Sequence, residues 1–382
     1  MPVKLGLLLV TMMAGSLSAA PGETRVARWQ GDKTAAFMLM FDDSWPSHWQ
    51  VAVPELAKRG LTATFYVCPG KGEHAKFEKT WHDELWRQGM AYGDHTMTHK
   101  GVKDVASAEV EIGDCAKWIR EATGKKPGEL VSYGQPGVGP NDWNITAAEL
   151  ATLLAKHNLI SRPTFDGHGA VYHWQTTEQM LALADKGIAA KGLEYLVIHG
   201  VERITPNWGY QDFWALKQTV FLPLLDGLKE RVDRGDLWVT DHISAHQYAT
   251  ERDKAAVQVL ESTADAIRLT LTHTADAQLY DLPLTLVTGV PADWAKVSIS
   301  QGETKVVVEA KAGAATYQAR PNAGEVKLTR GGVSLTATPP PTAPTGTHAR
   351  SASRPSPQRA DAHRAGSSGS PAGSTARGSS LP

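Results

Sequence analysis

From about residue 25 to residue 252 the chain alternates short apolar runs with stretches whose apolar residues recur at helical spacing. AAFMLMF (35–41) leads into VAVPELAKRG, where Gly60 suits the position just past a helix end. LTATFYV (61–67) precedes a helix predicted over 79–88. AYGDH (91–95) precedes SAEVEIGDCAKWIREATG, with Ser107 as N-cap, Val110, Cys115, Trp118 and Ile119 following helical periodicity, and Gly124 as the stop. ELVSY, NLIS and EYLVIH each lead into a helical pattern, over 146–157, 176–186 and 211–233. DLWVT (236–240) leads into a last one near 243–252. About seven such repeats predict an α/β fold with parallel strands and right-handed crossovers, either a barrel or a doubly wound sheet. Both architectures place their sites at the C-terminal ends of the strands.

The pattern changes after the last helix. Over 263–336, IRLTLTH, PLTLVTGV, KVSISQG, TKVVVEA and EVKLTR are short, alternating and β-branched, separated by Gly, Pro and Asp. They predict a small antiparallel β domain. Trp294 alone makes a sugar-binding face there weaker than an accessory packing role. Residues 1–20, MPVKLGLLLVTMMAGSLSAA, have the order of a cleavable export signal: one Lys, a short apolar run, then small residues. The expected location is therefore secreted or periplasmic. No other stretch approaches the roughly 20 apolar residues of a membrane span, so the mature form should have no integral membrane segment. The segment 337–382 is rich in Pro, Ser, Gly and Arg and has almost no large apolar residue, which predicts a disordered tail.

Lys plus Arg (39) against Asp plus Glu (40) leaves a net charge of −1, which argues against a nucleic-acid partner. Twelve Trp against seven Phe shifts attention to flat ligands such as sugar rings, with core filling as the commoner use. Two cysteines, Cys68 and Cys115, are too few for a zinc ribbon or a disulfide framework. In an exported protein they could pair, but their positions suit buried thiols equally well.

Candidate chemistry collects at strand ends. MLMF ends in Asp42-Asp43, adjacent carboxylates that should point to different sides, although a DD pair alone is more often a turn. AYGD ends in HTMTH, and the i, i+4 spacing of His95 and His99 would put both imidazoles on one face of a helical turn, as metal sites require. EYLVIH ends in His199, a position where a lone His is usually structural. Taken together, one Asp and two His complete a three-ligand metal site with an open position, and a second Asp and a third His remain for acid–base work.

These motifs resemble the polysaccharide deacetylase family (carbohydrate esterase family four), over about residues 30–252. FDDSW matches its F-D-D motif, HTMTH its H-[ST]-x-x-H motif, and LVIH its L-x-x-H strand. TATFYV and DLWVTDHISAHQYATER also fit. The resemblance implies a distorted (β/α) barrel over 25–252. It implies Asp42 as catalytic base, Asp43, His95 and His99 as ligands of a divalent metal (Zn²⁺ first, Co²⁺ or another ion otherwise), and His199 as general acid. A backbone N–H near Tyr133 would help hold the oxyanion. The implied activity is hydrolytic removal of acetyl groups from an acetylated poly- or oligosaccharide, with N-acetyl sugars favoured. The alternatives are an O-acetyl esterase acting on acetylated xylan or a small ester, and a catalytically weak glycan-binding member.

Two departures from the family pattern stand out. Its third motif carries an Arg a few residues before an aromatic-Gly pair; LVSYGQPG keeps Tyr133-Gly134 without the Arg, so Asp42 needs another partner or is held more loosely. The D-x-x-D-W motif is also missing. FDGHGAVYHW (165–174) is the nearest segment, and it makes Asp166 the candidate to orient His199. Trp45, Trp174 and Trp208 lie in loops near the motifs and are candidates for a sugar-stacking wall.

Overall fold

The structure, a computed structural model, describes residues 19–204 and 211–331. The predicted tail, nearly all of the leader and Trp208 lie outside the described residues.

Strand β1 (Thr24–Val26) precedes β2 (Ala35–Phe41), β3 (Thr64–Val67), β4 (Ala91–Asp94), β5 (Val131–Tyr133), β6 (Leu159–Ser161), β7 (Leu193–Ile198) and β8 (Leu237–Thr240). Strands β2 to β8 form one seven-stranded sheet, ordered β6-β5-β4-β3-β2-β7 with β8 also on β2, and every pair is parallel. All seven residues of β2 are buried, as befits a parallel strand covered on both faces. One edge of β2 pairs with β7 along Ala36–Phe41. The other edge is shared, with β8 on Ala35–Met38 and β3 on Met40–Phe41. Two strands leaving one edge must diverge, and the divergence rolls the sheet.

The extent of the roll can be gauged. β6 and β2 are four positions apart, about 19 Å in a flat sheet at ~4.8 Å per strand. Yet Arg162, just past β6, bonds Asp42, just past β2, at 2.7 and 2.6 Å. No side chain spans the flat distance, so the strands curve towards one another. The distorted barrel expected from the sequence is an open one. Among the described residues β6 and β7 do not pair, and His168–Ala170 lies along β7 instead, through Ala170 N–H to Val197 O (2.8 Å) and Val197 N–H to His168 O (2.9 Å).

Side chains alternate across β2. Phe37, Leu39 and Phe41 pack with Phe65 and Val67 under the surrounding helices, while Met38 and Met40 face inward with Tyr66, Val197 and Ala245. Each such burial is worth roughly 1.5–3 kcal/mol. Ala245 belongs to the last helix, His242–Asp253.

Three helices differ from the sequence reading. The one expected at Ser107 starts at Val105. Asp104 accepts the Ser107 N–H at 2.7 Å, and Ser107 is the third helical residue of a capping box. This helix passes through a π-helical stretch, Glu109–Asp114, then continues as Cys115–Thr123 to Gly124 at φ 69. The helix expected over 79–88 is broken into Glu78–Thr80, a π turn Trp81–Leu85 and a 3₁₀ turn Trp86–Gln88. The helix expected over 211–233 begins only at Gln218. Residues 211–217 form a loop, held where Gly200 N–H bonds Phe213 O and Leu216 N–H bonds Gly200 O, both at 2.9 Å.

The antiparallel region begins at Ala255 rather than 263. It holds β9 (Ala255–Ser262), β10 (Ala266–His273), β11 (Leu284–Gly289), β12 (Lys296–Gln301), β13 (Thr304–Glu309), β14 (Ala314–Ala319) and β15 (Glu325–Arg330). Five of these form the sheet β13-β12-β15-β10-β9, and the N-terminal β1 joins the other two as β1-β11-β14. Trp294 is 2% exposed in this core and its Nε1–H bonds Ala264 O, so it presents no sugar-binding face. Trp29, Ala36 and Tyr248 share the same core, which makes the β region and the parallel sheet one compact unit. Among the described residues no helix is long and apolar enough to cross a membrane. Cys68 and Cys115 are buried free thiols.

Candidate active site

Asp42 continues the β2 ladder, its N–H bonding Ile198 O at 2.9 Å. Asp43 (φ 79) and Ser44 (φ 55) then adopt left-handed backbone, which costs of order 1–3 kcal/mol per non-glycine residue. Ser44 Oγ ties this reversal to the end of β3 by accepting the Cys68 N–H at 2.8 Å. The reversal gives the two neighbouring carboxylates different partners.

Asp43 Oδ1 lies 3.3 Å from His95 Nε2 and 3.0 Å from His99 Nε2. One donor atom from each residue falls within 4.8 Å of the others, so the trio could hold a metal ion. The His95 tautomer supports this fit. Its Nδ1 sits 2.6 Å from Gly134 O, and a carbonyl only accepts, so Nδ1 carries the hydrogen and Nε2 offers a bare lone pair. A bare imidazole nitrogen facing a buried carboxylate oxygen is unfavourable without a cation between them. Burial works to raise the Asp43 carboxyl, but its close contacts with His95 and His99 and the Lys71 ammonium hold it well below 3.8. The turn between the two imidazoles is not the helical one expected. Thr96 (φ 63) and His99 (φ 60) are left-handed, and the rings converge through this irregular bend.

Asp42 has the partner that the third motif lacks. Arg162 bonds it bidentately at 2.7 and 2.6 Å, with the two side chains 7% and 4% exposed. The guanidinium lies 4.3 Å over the Tyr66 ring. Glycine keeps this path open, since a Cβ at Gly134 would meet Arg162 Nε at 2.5 Å and Tyr66 at 2.9 Å. Beneath it, Tyr66 OH, Ser132 Oγ and His242 Nδ1 follow one another at 2.7 Å. Burial alone would raise the Asp42 carboxyl, but Arg162, then His95 and His199, outweigh it and leave the pKa below 3.8. Asp42 therefore stays a carboxylate at neutral pH.

His199 leaves β7 with its carbonyl accepting His48 Nε2–H at 2.6 Å. Phe165, Phe213 and Trp214 meet its imidazole edge-on at 5.6, 5.5 and 5.1 Å between centroids. Its Nδ1 is buried with no hydrogen-bond partner among the described residues. Burial lowers its pKa below 6.5, partly offset by Asp42 and Asp43. Asp166 does not orient this ring: its carboxylate is 98% exposed and 3.8 Å from His173. The chain at 165–174 folds so that Phe165, not Asp166, turns to His199.

The stacking candidates are also reassigned. Trp45 donates Nε1–H to Asp43 Oδ2 at 3.2 Å under the Lys71 ammonium, so it holds the Asp43 carboxylate in place. Trp174 bonds Gly167 O and packs on the core, and Trp208 lies outside the described residues. Tyr133 is buried among core side chains, its carbonyl accepting the Arg162 N–H at 2.8 Å. The aromatic wall comes instead from Phe165, Phe213 and Trp214. With Asp42, Asp43, His95, His99, Arg162, Gly137 and His199 they line a cavity of about 320 Å³. Trp214 is held at φ 42, an outlier for a bulky residue. The wholly buried Arg203–Asp212 ion pair (2.7 Å) anchors its loop, and Asp212 also accepts the Ser47 N–H at 2.8 Å.

Residues 30–148 match the family model described as polysaccharide deacetylase. A gellan lyase from a Bacillus species is 23% identical over 336 residues, covering 80% of this chain and 13% of the lyase, so the chain spans a small part of that relative. A family 4 carbohydrate esterase from Streptomyces lividans, solved in complex with acetate, is 19% identical, covering 56% of this chain and 94% of that one, with a TM-score of 0.37. A peptidoglycan deacetylase from Bacillus subtilis is 16% identical, covering 56% and 90%, also at 0.37.

Proposed function

We propose, for a chain that carries the polysaccharide deacetylase pattern over residues 30–148, metal-assisted hydrolysis of acetyl groups on carbohydrate, with N-acetyl sugars as the preferred substrate. One observation carries this reading. The Asp43–His95–His99 donor trio shares a single cavity with a carboxylate kept ionised by arginine and with a separate imidazole. A divalent ion on that trio, Zn²⁺ first and Co²⁺ next for two nitrogens and one oxygen, would supply a Lewis acid that acidifies water and polarises the acetyl carbonyl.

The remaining steps belong to the chain's own side chains. Asp42, ionised at neutral pH, takes a proton from the attacking water, and Arg162 keeps its carboxylate oriented while it does so. His199 delivers a proton to the departing amine. Its lowered pKa leaves only a minor charged fraction at neutral pH, so this delivery is the weaker half of the acid–base pair. Phe165, Phe213 and Trp214 exclude water from the imidazole and offer a flat apolar wall to a sugar ring.

The second reading, ester hydrolysis, rests on the same imidazole. Among the described residues no carboxylate is hydrogen-bonded to the His199 imidazole, and an alkoxide needs less protonation to leave than an amine. The leader pattern of residues 1–20 supports an exported setting for this activity. The test is acetate release from chitooligosaccharides, peptidoglycan, acetylated xylan and aryl acetates, with bound metal measured beside it. No release from any of them by metal-loaded protein would sink both hydrolytic readings.

A further inference from the structure

We propose that Glu111 is a positioning residue for the metal centre, fixing the turn that carries His99 and so setting how tightly an ion is held. The inference rests on the metal reading above. It starts from an accounting of backbone donors, since each buried N–H must find a partner. His95 N–H goes to Val67 O (3.1 Å) and Thr96 N–H to Asp94 Oδ1 (2.9 Å). Met97 N–H goes to the Glu111 carbonyl (2.8 Å) and Thr98 N–H to Glu111 Oε2 (2.8 Å). Thr98 Oγ1–H goes to Glu111 Oε1 (2.7 Å). Only His99 N–H is satisfied inside the turn, by Thr96 Oγ1, at a longer 3.2 Å.

A single residue therefore holds the middle of the turn three times. Glu111 can do so because it sits in the π-helical stretch Glu109–Asp114, where the ordinary ladder is loosened and its carbonyl accepts a bond from outside the helix. The turn needs an external hold, because Thr96 and His99 both occupy left-handed backbone.

The two imidazoles depend on this hold unequally. His95 is 2% exposed and the Gly134 carbonyl orients its ring. His99 is 19% exposed, and among the described residues the only polar contact of its ring is Asp43. Its aim is set through the backbone, one residue after the Thr98 that Glu111 grips.

The experiment strips metal from wild type, Glu111→Ala and Glu111→Gln by chelation. Each is titrated with Zn²⁺ against a chromophoric chelator, and the visible spectrum of the Co²⁺ form is recorded. Glu111→Ala should bind Zn²⁺ about 10–100-fold more weakly, with an altered Co²⁺ spectrum and unchanged circular dichroism. Glu111→Gln should recover most of the affinity, because its amide can accept from Thr98 N–H and donate to Thr98 Oγ1. A folded Glu111→Ala that binds within about twofold of wild type would overturn the proposal, as would a Gln variant as weak as the Ala one. Should Glu111→Ala fail to fold, Glu111→Asp, one methylene short of both Thr98 donors, decides in the same way. Wild type that takes up no metal would remove the metal reading itself and this inference with it.

Discussion

Replacing Arg162 by methionine keeps a stem that packs on Tyr66 and removes the charge beside Asp42. Both side chains are almost wholly buried, and two bonds of 2.7 and 2.6 Å join them. Breaking a buried ion pair by removing one partner costs about 3–5 kcal/mol, since the other charge stays behind without its counter-ion. Burial already works to protonate Asp42, and only His95 and His199 would remain to oppose it. In the wild type, where the folded pKa lies below 3.8, Asp42 contributes stability that is present above its unfolded pKa and lost as the pH falls through its folded pKa. In Arg162→Met burial raises the folded pKa and the sign reverses, so the deficit should be largest near pH 7 and shrink on acidification. The acid limb of the kcat/KM profile should move to higher pH, and the plateau should fall roughly 10²-fold as the base loses its orientation. Urea denaturation at pH 5 and 7 and acetate release across pH read both effects, with metal content as the control. The double variant Asp42→Asn/Arg162→Met should regain stability without turnover. A loss under about 1 kcal/mol at pH 7, together with an unmoved acid limb, would refute the coupling.

His95→Ala and His99→Ala should each abolish metal retention and acetate release while circular dichroism stays native; activity that survives either change or prolonged chelation contradicts the metal reading. Gly134→Ala puts a Cβ 2.5 Å from Arg162 Nε, so it should reproduce the Arg162→Met acid-limb shift in milder form. An unchanged pH profile in that variant would show that the guanidinium reaches Asp42 without the space glycine leaves. On N-acetyl substrates the alkaline limb should begin below pH 6.5, where the lowered His199 pKa costs it its proton, and on aryl acetates that limb should be absent. His199→Ala should accordingly lose far more turnover on N-acetyl sugars than on aryl acetates, and equal losses would make His199 structural.

Much of the parallel sheet was readable because its strands lie in short, mostly apolar runs bounded by turn residues. The roll of that sheet was expected through the family resemblance alone. It follows from β3 and β8 sharing one edge of β2, a long-range pairing that no local pattern announces. The segment 211–217 misled for a related reason. Its apolar residues match a helical face, but Asp212 is spent on Arg203 and Ser47, and the bonds from Gly200 to Phe213 and Leu216 hold the backbone in a loop. Tertiary bonds decided its conformation. The Thr96 and His99 conformations were equally hidden, since i, i+4 spacing is silent on left-handed backbone unless glycine marks it.

At the site, the D/H/H trio and Asp42 were readable from motif spacing, whereas their supports were not. The two departures from the family pattern have opposite outcomes. The missing motif arginine is replaced by Arg162, which comes from the end of a different strand, so Asp42 keeps a charged partner. A lone Arg after LIS carries no local signal; only the rolled sheet brings it to Asp42. The missing carboxylate beside His199 has no replacement among the described residues, and Phe165, Phe213 and Trp214 occupy its surroundings instead. The proposed base, Asp42, is therefore electrostatically supported while the proposed acid, His199, is desolvated. Such an imbalance matters little when the leaving group departs as an anion and greatly when it must first be protonated. The rate ratio between an aryl acetate and an N-acetyl sugar is accordingly the quantity most sensitive to the aromatic box. Placing a carboxylate at Phe165 would raise the His199 pKa and should narrow that ratio, provided metal content is unchanged.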